Sequence, residues 1–173
     1  MKIFWTLLLT LGLFGLPGGP VAVGESSRPL VGHIMALLAV FEQAEVLPPE
    51  GSPEADALIH ALIQTQAALT KSTNPATRRW FADALQRSEA GGAKLRAEDG
   101  LTARSLEAIL PYAATHPPAA QPEVLAGLRE LNIGPADFDL LARIYTQARD
   151  RLRARGQDLH HLYEVQRHAM PFR

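Results

Sequence analysis

Apolar residues recur along this chain at intervals of three and four, and wherever those intervals persist they predict helix. Between residues 52 and 91, Leu58, Leu62, Thr65 and Leu69 fall on one helical face, with Ile59, Ile63 and Gln66 beside them. Lys71-Ser72-Thr73-Asn74-Pro75 interrupts the pattern. Asn74 suits an N-cap, because its side-chain oxygen can accept from the open N–H groups of a first turn. Pro75 suits the first helical position, where no N–H is needed. Trp80, Phe81, Ala84 and Leu85 then form the face of a second helix, and Gly91 offers a left-handed stop. The stretch reads as an αα-hairpin with at least one of Trp80 and Phe81 as a core anchor.

The same period recurs on both sides of the hairpin. A helix over roughly 29–46 is apolar nearly all round, through Leu30, Ile34, Leu37, Leu38 and Phe41. That pattern predicts the buried centre of a bundle, with a membrane- or partner-facing surface as the alternative. Thr102 caps a further helix, flanked by Leu101 and Leu106 as a hydrophobic staple, and Pro111 is expected to bend or split it. Helices follow over 122–131, 135–155 and 159–170, the last capped by Asp158. Ser52-Pro53, Asn74-Pro75, Gln121-Pro122 and Gly134-Pro135 each place proline at a helix start. No run alternates apolar and polar residues over strand length. The expectation is an all-α fold, a single compact bundle-like domain of about six or seven helices over residues 25–173.

Residues 1–24 read differently. Met1-Lys2 precedes a short apolar run from Ile3 to Leu16, Pro17-Gly18-Gly19-Pro20 breaks it, and small residues lead to Gly24. This is the form of a secretory signal peptide cleaved after Gly24, too short in its apolar part to span a bilayer. The protein is therefore expected to be exported, to the periplasm of a Gram-negative host and otherwise to the medium. No transmembrane span is expected in the mature chain. There is no cysteine, so disulfides, lipid-modified cysteine and thiolate metal sites are excluded and packing alone must hold the fold. A net charge of -1 offers no general basic field for nucleic acid.

Three constellations could carry chemistry. His160, Glu164 and His168 stack on one side of the last helix with His161 one position round, donors that suit zinc, copper or iron. The competing reading is a solvated face with local ion pairs, and a metal would need a further ligand from another helix. Lys71, Ser72, Thr73, Asn74, Arg78 and Arg79 gather at a helix start that could hold an anion. The alternative is that these cations neutralise the C-terminal end of the preceding helix. Arg149, Arg151, Arg153 and Arg155 place like charges at i,i+4, which repel unless something acidic faces them. The favoured counterpart is the protein's own acidic N-terminal half; the alternative is an acidic partner or anionic lipid surface. No nucleophile elbow or phosphate-binding glycine loop is present. The expected function is binding, as an adaptor or subunit that meets a protein or envelope partner through helix surfaces, without catalytic activity. A protein holding a divalent metal on the last helix is the alternative, and a carrier of a small apolar ligand in the bundle core is the third; no other cofactor is expected.

Overall fold

The computed structural model describes residues 28–87 and 94–170, so the signal-peptide reading and the Gly91 stop lie outside the described residues. The described residues form seven α-helices and no strand: α1 (Arg28–Gln43), α2 (Pro53–Lys71), α3 (Pro75–Gln86), α4 (Ala103–Thr115), α5 (Pro122–Glu130), α6 (Pro135–Ala154) and α7 (Leu159–Ala169). Short 3-10 turns at Ala97–Asp99 and Pro118–Ala120 precede α4 and α5. The chain is an all-α bundle, as its periodicity requires.

The four proline dipeptides all open helices, and two of them carry side-chain caps. Ser52 Oγ accepts from Ala55 N at 3.2 Å and Asn74 Oδ1 from Thr77 N at 3.1 Å, while Gly134 N donates to Asp137 Oδ2 at 2.7 Å. Thr102 and Ser105 form a reciprocal capping box at the start of α4, which satisfies two donors that would otherwise be open. Pro111 does not split α4: the helix runs unbroken from Ala103 to Thr115 with Pro111 on its exposed side. Facing solvent, the carbonyl that loses its partner to the proline is not trapped in the core.

α1 lies in the core, which decides against its reading as an external surface. Ile34, Met35, Ala36, Leu37, Leu38, Val40 and Phe41 are all buried. α7, α6 and α2 pack around it, and its contact with α7 is the most extensive between any two described helices. The helix spans the whole apolar run but ends at Gln43, short of the expected end near residue 46. After Gln43 the chain turns through Glu45 in a left-handed conformation (φ 58°), and Val46 N returns to Phe41 O at 3.1 Å. That closes the helix as a glycine would, with a glutamate in the glycine's place.

α2 shows one departure from its pattern. Thr65 and Gln66 are buried whereas Ile63 is exposed, so the buried face is rotated toward the polar pair. α3 carries Trp80 and Phe81 into the core together, at 2% and 1% exposure. Behind α3, Gly127 of α5 lets the two helices meet closely: a Cβ there would lie 2.2 Å from Thr77 Oγ1.

Candidate functional site

A surface cleft of about 560 Å³ lies between α3, the end of α4 and the start of α5. Its geometry follows from the elements that bound it. Ala76, Arg79, Trp80 and Asp83 recur at helical spacing, so α3 presents them on one face. Opposite lie Gln121, Pro122 and Glu123, from the cap and first turn of α5. Tyr112 of α4 closes the side.

The floor is stiff. Trp80 meets Phe81 and Tyr112 edge-on, with ring centres 5.0 and 5.4 Å apart, and Phe138 at 5.6 Å. These are favoured aromatic geometries. Trp80 Nε1 donates to His116 O at 3.0 Å, and His116 stacks on Tyr112 with ring centres 4.3 Å apart. Arg87 stands 5.3 Å from the Tyr112 ring centre and donates to His116 Nε2 at 3.3 Å. Because arginine can only donate, His116 Nε2 is the acceptor and its proton sits on Nδ1, 2.9 Å from Thr115 Oγ1. Around this floor the rim carries Arg79, Asp83 and Glu123, and none of the three takes part in an ion pair among the described residues.

The last-helix constellation is dispersed. His160 Nε2 faces Glu107 Oε2 of α4 at 2.8 Å, and His168 Nδ1 contacts the backbone carbonyl of Glu164 at 2.7 Å. Glu164 and His161 are exposed. Among the described residues no three His, Asp or Glu side chains converge as a metal-holding group. His33 does come to α7, against Tyr163 and Arg167, and His60 instead contacts Asn132 O at 2.8 Å. Among the described residues, therefore, neither His33 nor His60 joins His160 and His168.

At the hairpin turn, Asn74 is occupied by capping Thr77 and is covered by α5, since a Cβ on Gly127 would lie 2.6 Å from its side chain. Lys71, Thr73, Arg78 and Arg79 are exposed and Ser72 is half-buried. Lys71 occupies the last turn of α2, where a cation complements the helix dipole. Only Arg79 of this group reaches the cleft.

Two of the four arginines at the end of α6 turn onto the end of α1. Arg151 donates to Glu45 O, Arg155 donates to Gln43 O at 3.1 Å, and Arg155 pairs with the Glu45 carboxylate at 3.0 Å. They bind the open carbonyls and the left-handed residue that end α1, so donor and dipole act together. Arg149 contacts Asp150 at 3.2 Å, Arg153 is exposed, and Arg143 pairs with Glu54. Replacing Arg151 and Arg155 with glutamine should lower stability by up to about 1 kcal/mol each, the range of exposed pairs. Thermal melts at low and high salt check this, since salt should mask part of the loss.

The cleft was not foreseen from the sequence. Arg79 and Trp80 were marked for other reasons, whereas Asp83, Tyr112, Gln121 and Glu123 carry no local signal and meet only through helix packing. Comparison of this chain with protein-family models, curated proteins and solved structures finds no match.

Proposed function

We propose that this protein is exported and acts by binding, as an adaptor or subunit that meets a protein or envelope partner, with the cleft between α3 and α5 as its docking site. The cleft carries the reading: a floor held rigid by stacked rings, and rim charges of both signs left outside internal ion pairs. Rigid aromatic floors with a polar rim are where binding energy concentrates, because little entropy is lost on contact. Among the described residues no helix is long and apolar enough to cross a membrane, and α1 is occupied by the core. A partner is therefore met through side-chain surfaces rather than through a spanning helix.

A photoreactive phenylalanine analogue at exposed Ala120, on the lip of the cleft, tests the site in the native host. A discrete adduct should form there, should be lost on charge reversal at Arg79 or Glu123, and should not form from Glu50 in the α1–α2 connector. Equal labelling from both positions overturns the cleft as the docking site. Export is tested separately: mass spectrometry of protein from the host should find an N-terminus near Glu25, and intact Met1–Gly24 in the mature pool contradicts it.

A further inference from the structure

The clearest unused device lies on the far side of α1. His33 projects toward α7, where the Tyr163 hydroxyl stands 2.6 Å from its Nδ1 and Arg167 Nε 3.3 Å from the same nitrogen. Arginine donates and cannot accept, so Nδ1 is an acceptor and the neutral imidazole carries its proton on Nε2. Burial raises the Tyr163 phenol well above its usual range, so it stays protonated and donates to the same nitrogen. The two rings lie nearly parallel, 13° apart. Gly100 seals one edge: a Cβ there would lie 3.2 Å from the imidazole and 2.9 Å from Leu30.

We propose that this contact is an acid-sensitive latch, which holds the C-terminal helix on the bundle while His33 is neutral and releases it when His33 takes up a proton. A proton on Nδ1 occupies the lone pair that both donors use. Tyr163 can rotate its hydroxyl and accept instead; Arg167 cannot, and a cation then faces a cation at contact distance. α7 contacts α1 extensively, yet only Leu159 and Tyr163 of the helix are fully buried, so few apolar side chains hold it independently of this contact. Tyr163, its main anchor, is itself part of the latch.

The direction follows from His33 itself. Burial first, then the Arg167 charge, lowers its pKa to about 4 from 6.5, while Asp99 acts in the opposite sense. His33 therefore binds the proton more readily when α7 is undocked than when it is docked. Docking is fully stabilised above pH 6.5 and loses that stabilisation as pH falls toward 4. The other charged groups at this contact are Glu164, which acts on Tyr163, and Asp99, in the turn before Gly100. A further tie, His160 to Glu107 at 2.8 Å, joins α7 to α4 and acts against release.

Amide exchange followed by NMR, corrected for intrinsic rates, reads the latch in the whole protein. Between pH 7 and pH 4, protection in α7 should fall by roughly ten- to a hundredfold more than in α3, less than the full linkage because His33 is partly exposed. His33→Gln cannot take the proton, so α7 should stay docked at pH 4. Asp99→Asn, at an exposed position, removes the charge that favours the protonated imidazole in the docked state, so it should move the release midpoint to higher pH, and it keeps the test valid if His33→Gln folds poorly. Loss of α7 in step with α3, or release at an unchanged pH in both variants, overturns the latch.

Discussion

Replacing Trp80 with alanine should destabilise the fold by about 3–5 kcal/mol, the usual cost of deleting a packed aromatic from a core that cannot collapse around the space. Trp80 is 2% exposed and touches three other rings. Its removal also strips His116 O of its indole donor. Phe81→Ala should fall in the same range, since Phe81 is equally enclosed. Arg78→Ala, on the exposed side of the same helix, should stay within about 0.5 kcal/mol. Urea titration of the four proteins settles the matter. A loss below about 1 kcal/mol at both aromatic positions would mean that the hairpin does not anchor the core. Because Trp80 is also the cleft floor, any binding defect in Trp80→Ala must be judged beside Arg79→Glu, which changes the rim and leaves the core intact.

The second large effect is expected where nothing can be removed. Gly127→Ala adds a single carbon to α5. In an ordinary exposed helix that change stabilises by about 1 kcal/mol, because alanine is the better helix former. Here the new Cβ would lie 2.2 Å from Thr77 Oγ1 and 2.6 and 2.7 Å from Asn74. α5 must then move away from α3, stretching the 3.3 Å bond from Thr77 Oγ1 to Val124 O and disturbing the Asn74 cap. Overpacking of this kind costs about 1–3 kcal/mol and occasionally more. The expected outcome is a net loss of up to about 2 kcal/mol by those opposing terms. Its sign is the test, since a melting temperature that rises in Gly127→Ala would show that the helices do not meet at this point. The same displacement would widen the cleft, because Pro122, Glu123 and Val124 ride on α5.

Most of the architecture was legible in the chain because its signals are local. Each proline-marked helix start depends on one dipeptide and the turn after it, and all four stand where the chain places them. The Asn74, Thr102 and Asp158 caps rest on the same short-range chemistry. Pro111 was read too strongly: the penalty for a proline within a helix depends on whether its face is buried, and periodicity does not report that. Ile63 failed for a related reason. Its position favours burial by spacing, but which side of α2 turns inward depends on what α6 and the Ala97–Asp99 turn place against it.

The candidate sites divide along the same line. Spacing on one helix can bring His160, Glu164 and His168 to one side, yet it is blind to Glu107 on α4, which engages His160. The arginine run at the end of α6 implied an anionic counterpart, with the acidic N-terminal half favoured, and Arg155 does pair with Glu45 there. The counterpart of Arg151 and Arg155 includes backbone carbonyls at the end of α1, a group that no count of charged side chains records. Sequence by itself determined the helices, their caps and the all-α class, because capping and amphipathic periodicity act over one or two turns. Tertiary structure alone decided that the hairpin's aromatic arm floors a cleft and that His33 meets α7. These depend on contacts between residues up to 134 positions apart, set by how faces pack and not by any local preference.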